Sequence, residues 1–243
     1  RPKQLEPVGP NGEALLDITL RNALRAGCTS AIIVVRPEHE KIFAGRYAND
    51  PWIQVVVQHE ARGTAHAVMQ VVEHLQGTMI IANGDDHYGE GSMRMAMHHA
   101  THGPPEEHAM VGFRLANTLS ASGPVNRALC GMNEEDLLIC TEEVEGLVAG
   151  SEGTITDAQG RELDPEAVVS MNLWVLRHSL SGLFRAQFGS TAREGAEYGL
   201  PEVVHAAIAR GHCFRALRTN DTWCGLTYPA DAELVRRTLS ART

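Results

Sequence analysis

The sequence predicts an α/β fold whose mixed, mostly parallel sheet carries a ligand site at its carboxyl edge. Three observations support that expectation. Short apolar runs alternate with helical stripes through the first hundred residues. One run, Met79-Ile80-Ile81-Ala82, empties into Asn83-Gly84-Asp85-Asp86-His87. A second, Ile53 to Gln58, is followed by Gly63-Thr64-Ala65-His66-Ala67. Strand–helix alternation favours parallel strands joined by right-handed crossovers, and such sheets bind ligands outside the carboxyl ends of their strands.

The elements follow in order. The first twelve residues hold Pro2, Pro7, Gly9, Pro10 and Gly12 and read as a loop. Leu15, Leu16, Leu20, Ala23 and Leu24 form one helical stripe from Glu13 to Ala26, closed by Gly27. Ala31 to Val35 is a β-branched strand, Pro37 to Tyr47 a helix with proline in its first turn, and Ile53 to Gln58 a strand. Gly63 to Leu75 reads as a helix and Thr78 to Ala82 as a strand. The second half is mixed. His108 to Leu115, Ala128 to Thr141 and Val168 to Leu176 read as strands, with Gly146 to Glu166 a loop or short hairpin. Ser179 to Phe188, Pro201 to Arg210 and Asp231 to Ser240 read as helices, and Cys213 to Leu217 as a short strand. A single domain results, with a first half at 1–105 and a second at 106–243.

Composition narrows the function. Lys and Arg number 21 against 30 Asp and Glu, a net charge of −9. That balance argues against nucleic acid as a partner, since its binding rests on phosphate neutralisation. Lysine occurs only at Lys3 and Lys41, so Lys3 in the opening loop stands out. Five widely spaced cysteines without a C-x-x-C pair argue against a zinc site or disulfide framework and suggest a reducing, cytoplasmic setting. No apolar run is long enough to span a bilayer, so no membrane partner is expected. His98, His99, His102 and His108 surround Gly103-Pro104-Pro105 and read as a solvated loop and helix tail.

The order of the motifs resembles the sugar-1-phosphate nucleotidyltransferases, the NDP-sugar pyrophosphorylase superfamily. The resemblance rests on Pro2-Lys3-Gln4-Leu5-Glu6-Pro7-Val8-Gly9, Gly63-Thr64-Ala65, Asn83-Gly84-Asp85-Asp86 and Val111-Gly112-Phe113-Arg114. It continues through Ser170-Met171-Asn172-Leu173-Trp174, Glu197 to Pro201, and Asn220 to Tyr228. It implies a Rossmann-like three-layer α/β/α sandwich. It also implies a first strand and a G-x-G-x-R loop ahead of Pro2-Lys3, so an additional segment before Arg1 is expected.

The implied reaction joins a nucleoside triphosphate to a phosphorylated small molecule, such as a sugar 1-phosphate, and releases pyrophosphate. Mg²⁺ is the implied cofactor, a hard cation for which one or two carboxylates suffice. By the resemblance, Asp85 is a metal ligand and catalytic, with Asp86 either a second ligand or a turn residue. Lys3 meets the triphosphate or the acceptor phosphate, and Arg1 could share that task. Gln58, Gly63, Thr64 and Gly84 fall to the nucleotide side, and Gly112, Glu142 and Asn172 to the acceptor. Relatives carry a second metal aspartate in a Trp-x-Asp-x-Gly-Thr-Pro run. Here Gly225 holds that column, and Asp221 is the substitute expected. A lysine that follows the Glu142 position in many relatives is absent, with Glu143 and Val144 in its place. Relatives often self-associate, so a homo-oligomer is in keeping. A metal-dependent glycosyltransferase and a non-catalytic nucleotide- or sugar-binding regulatory domain remain alternatives at this point.

Overall fold

The computed structural model describes residues 2–72, 77–120, 122–150, 153–191, 198–226 and 231–240. Arg1, positions 73–75 of the expected third helix, and positions 227 and 228 of the tryptophan-led run lie outside them. A short 3-10 turn at Lys3–Leu5 leads to helix α1 (Leu15–Ala26), whose stripe Leu15, Leu16, Ile18 and Leu20 is buried. Gly27, at φ 109°, ends it in the left-handed conformation that suits glycine. Strand β1 (Ala31–Val35), helix α2 (Glu40–Arg46) and strand β2 (Ile53–Val57) follow. The two strands pair in parallel from Ala31↔Ile53 to Val35↔Val57, as a crossover unit should. Helix α3 (Thr64–Met69) is shorter than the sequence suggested and relaxes into a turn at Gln70–Val72.

Then come β3 (Met79–Ile81), β4 (Asp86–His87), α4 (Glu90–His102), β5 (His108–Arg114), β6 (Val125–Met132) and β7 (Leu138–Ala149). The expected strand at Ala128–Thr141 is thus two strands. The turn between them is built on Asn133, whose Oδ1 accepts the Glu135 and Leu137 N–H groups at 3.0 and 2.9 Å. Short strands β8 (Ile155–Thr156) and β9 (Glu162–Leu163) make the expected hairpin, and β10 (Val168–Leu176) is the long central strand. Helices α5 (Ser181–Thr191) and α6 (Leu200–Ile208), strands β11 (Phe214–Thr219) and β12 (Cys224–Gly225), and helix α7 (Asp231–Ser240) complete the chain.

The large sheet runs β11-β5-β10-β6-β7-β8-β9, with β3 also on β10. It is mixed: β11 and β5 are parallel, and the other pairings within it are antiparallel. Strand alternation sorts β10 between two cores. Trp174 and Leu176 pack with Phe184, Val203 and Val204 on one face, while Leu173 and Val175 meet Met93, Ala96 and Phe113 on the other. Helices therefore cover both faces, giving the three layers. Each fully buried side chain of this size contributes roughly 1.5–3 kcal/mol.

The sheet has a gap. Strands β1 and β2 form a separate leaf. Between β1 and β3 lies a trough of about 510 Å³, lined mainly by apolar residues such as Ile33, Val68, Ile80 and Met93. Among the described residues, neither the inner edge of β1 nor that of β3 has a strand partner there.

Two of the histidines expected in a solvated loop are buried. His99 is 6% exposed and His108 is fully enclosed. The reason is Arg177, which gathers this end of the sheet. Its guanidinium donates to the carbonyls of His99, Ala100 and Glu107 and to Thr78 Oγ1, and its backbone N–H donates to His108 Nδ1 at 3.0 Å.

Candidate active site

One edge of β10 is shared. Val169 and Ser170 pair with Leu129 and Ala128 of β6, whereas Trp174 to Leu176 pair with Ile81 to Met79 of β3. Where β3 and β6 part, β10 bulges and Asn172 adopts φ 62°, an uncommon conformation for a side-chain-bearing residue. A cavity of about 290 Å³ opens at this fork. It is lined by Asn83, Asp85 and Asp86 from the β3 side, Asn126, Arg127 and Ala128 from β6, Thr141 and Glu143 from β7, and Asn172, Trp174 and Trp223.

The 83–88 turn is held by a closed hydrogen-bond circuit. Asn83 N–H donates to the Tyr88 hydroxyl at 2.9 Å, that hydroxyl donates to Asp86 Oδ2 at 3.2 Å, and Asn83 Nδ2 donates to the same oxygen at 2.9 Å. Thr19 of α1 anchors the turn by donating to the Asp86 carbonyl. Burial, and then the charge of Asp85, push the Asp86 carboxyl up to about 7. Strand β12 faces this carboxylate, pairing Gly225 with Asp86. A Cβ on Gly225 would stand 2.5 Å from both Asp86 Oδ1 and the Trp223 ring, so the missing side chain is what lets them come together. The space that a side chain at Gly225 would need is occupied by the Asp86 carboxylate from the opposite strand.

Asp85 forms an ion pair with Lys3. The opening loop therefore lies against the carboxyl end of β3, and the Gln4 side chain sits 3.4 Å from where a Cβ on Gly84 would be. The nucleotide-side candidates line a neighbouring region. Thr64 and Gly84 border the trough between β1 and β3, and Asn83 borders both the trough and the cavity. Gln58 Nε2 lies 2.9 Å from His66 Nδ1 and 3.4 Å from the Gly63 carbonyl. Gly63, at φ 94°, packs against the Tyr198 backbone so closely that a Cβ would overlap it. Thr64 Oγ1 accepts the Leu200 N–H at 2.9 Å, tying α3 to α6.

The remaining candidates divide. Asn172 lines the cavity and its Oδ1 accepts the Trp174 indole N–H at 3.4 Å. Glu142 does not line it. Alternation along β7 turns that side chain away, to Arg161 at 3.0 Å, and turns its neighbours Thr141 and Glu143 inward. Gly112 lies within β5, where its closeness to Val168 of β10 leaves no room for a side chain. Asp221 also lies outside the cavity lining. Its Oδ2 accepts from the Ser92 N–H at 2.7 Å and hydroxyl at 3.1 Å, holding the first turn of α4. The sequence reading missed Arg127. Its signal was an arginine in step with Val125, on the inward-facing positions of a strand.

Residues 1–121 match the nucleotidyl transferase family. The bifunctional protein GlmU of Corynebacterium diphtheriae is 28% identical over 190 residues, covering 77% of this chain and 35% of that protein. GlmU of Gloeobacter violaceus is 38% identical over 87 residues, 35% of this chain and 18% of that protein. The chain thus spans a minor part of the length of these curated relatives. The solved inositol-1-phosphate CTP transferase from T. maritima superposes with a TM-score of 0.70 over 95% of this chain and 83% of that one, at 13% identity, which is a likeness of fold. Together these likenesses support a member of the sugar-phosphate nucleotidyltransferase superfamily, with no substrate specified.

Proposed function

We propose that the protein joins a nucleoside triphosphate to a phosphorylated small molecule of the sugar 1-phosphate class, releasing pyrophosphate. The observation that carries this reading is the Lys3–Asp85 pair at the carboxyl end of β3, beside a cavity that also receives Asn172. An oxygen of the acceptor phosphate attacks the α-phosphorus in line. The bond to the β-phosphate oxygen breaks, and pyrophosphate departs with that electron pair. Nothing covalent is asked of the protein; positioning and charge neutralisation do the work. Two like charges near 4 Å repel by about 4 kcal/mol at an effective dielectric of 20, so cations must lie between the phosphates.

Two adjacent carboxylates, one partly buried and one buried, are the all-oxygen donors that Mg²⁺ favours, and phosphate oxygens and water would complete its shell. Asp85 and Asp86 are the residues that would hold it, and the ion would supply charge neutralisation at the phosphates. An exposed ion pair is worth only about 0–1 kcal/mol. Lys3 can therefore leave Asp85 for a phosphate at little cost. The Gly63 turn and Thr64 border the nucleotide, and Asn172 and Glu143 the acceptor.

The test is pyrophosphate release from each of the four NTPs with Mg²⁺ and a panel of sugar 1-phosphates. Turnover that needs all three components and vanishes in Asp85→Ala supports the reading. Hydrolysis of a nucleotide sugar without NTP chemistry, or nucleotide binding without turnover, overturns it.

A further inference from the structure

Arg127 is a buried cation that the protein itself leaves only partly used. It is 8% exposed, sits on a buried position of β6 and lines the fork cavity, the only Lys or Arg among the described residues to do so. Its Nε and Nη2 both donate to the Thr118 carbonyl, and Nη1 donates to the Asn126 carbonyl at 2.7 Å. A guanidinium has five N–H groups. Two therefore have no acceptor among the described residues, and no carboxylate there forms an ion pair with it. The Trp223 ring lies under the guanidinium, 4.8 Å from ring centre to Cζ, and also walls the cavity. Desolvation without a paired anion costs free energy, and here it brings the Arg127 pKa down to about 10. The charges of Asp86, Glu143 and Asp231 offset this only from a distance. In the ladder Arg127 stands opposite Val144, one residue beyond the inward-facing Glu143.

We propose that Arg127 is the specificity-determining cation of the acceptor pocket, its two open N–H groups receiving the phosphate monoester of the acceptor. This rests on the nucleotidyl-transfer reading for the word acceptor, but the anion site stands on its own geometry. A planar fork of N–H donors suits two phosphate oxygens in a way an ammonium does not. The phosphate so held lies beside Asp85 and Asp86, where the attack on the nucleotide would take place. A neutral sugar offers Arg127 only uncharged hydroxyl oxygens, weaker acceptors than a phosphate, so the pocket selects phosphorylated acceptors over free sugars.

The experiment is calorimetric titration of the full chain, in the presence of MgCl₂, with inorganic phosphate, glucose 1-phosphate and glucose. Wild type, Arg127→Gln, Arg127→Lys and Lys3→Gln are compared, each checked by thermal melting. Wild type is expected to bind both phosphates and not glucose. Arg127→Gln should weaken phosphate binding by about 10- to 100-fold, the scale of a lost charged hydrogen-bond pair. Arg127→Lys should restore part of it, while Lys3→Gln reads whatever share of the phosphate Lys3 holds. Phosphate binding that survives Arg127→Gln overturns the proposal, whatever Lys3→Gln does, as does wild type that binds no phosphate. Should Arg127→Gln fail to fold, wild type labelled with ¹⁵N-arginine gives the answer. The Nε–H resonance absent from Arg127→Lys must shift on adding phosphate, and a resonance that stays put refutes the assignment. If phosphate binds through Arg127 while no NTP binds or turns over, the anion site holds and the nucleotidyl-transfer reading fails.

Discussion

Replacing His108 by asparagine should flatten the acid limb of the stability curve. His108 is fully enclosed, stacks on Phe214 with ring centres 4.7 Å apart, and accepts the Arg177 N–H through Nδ1. Burial, then the neighbouring charges of His212, Arg177 and His99, bring its pKa down from 6.5 to about 4. The folded protein thus resists a proton that the unfolded chain accepts. Above pH 6.5 both states are neutral and the group adds no slope. As pH falls from 6.5 towards 4 the unfolded state gains the proton first, and stability drops by at most ~1.4 kcal/mol per pH unit. The loss accumulated by pH 4 is about 2–3 kcal/mol. Asparagine keeps an acceptor for Arg177 and cannot titrate. Urea unfolding of wild type and His108→Asn at half-unit steps from pH 4 to 8 reads the difference. Asp86, pushed up to about 7, tilts stability the other way between roughly pH 4 and 7, but it is common to both proteins and cancels. Parallel curves would mean that His108 takes up its proton in the folded state as readily as in the unfolded one, and the reasoning fails.

Other outcomes follow from the site. Asp85→Asn should abolish pyrophosphate release while shifting unfolding free energy by no more than about 1 kcal/mol, since its partner is the half-exposed Lys3; a large loss of stability would show that the pair is structural. Gly63→Ala should cost about 3 kcal/mol in urea unfolding, because φ 94° and the Tyr198 backbone both exclude a methyl group; a cost under about 0.5 kcal/mol would show that the turn yields. Glu143→Gln should raise the acceptor KM, and Glu142→Gln should leave it within about twofold. The reverse order would put the wrong face of β7 towards the cavity.

Much of the first half could be read from the chain because its signals are local. The stripe from Leu15 to Leu20 and alternate residues Ile33 and Val35 of Ala31–Val35 are buried, and Ile53, Val55 and Val57 pack partly buried beside them. The joined reading of 128–141 failed because its turn, Asn133 to Leu137, contains neither glycine nor proline. It relies on Asn133 capping two N–H groups and on Asp136 at φ 58°. Glu142 and Glu143 differ only in strand phase, and two adjacent glutamates give no local sign of which faces inward. Asp221 was beyond reach for another reason: its partner, Ser92, lies 129 positions away and is set by tertiary packing. The strand end ahead of Asp85 was legible because the apolar run Met79 to Ala82 stops there. The pairing of Gly225 with Asp86 was not, since it depends on β12 folding back antiparallel against β4.

The trough between β1 and β3 has a consequence for how rigidity is shared across the molecule. β5 is clasped on both sides by backbone ladders, whereas the β1–β2 leaf is joined to the rest through side chains and helices. Amide deuteration should therefore sweep through 31–35 long before it touches 109–113, leaving the β1–β2 leaf as the portion that breathes while the large sheet keeps its shape.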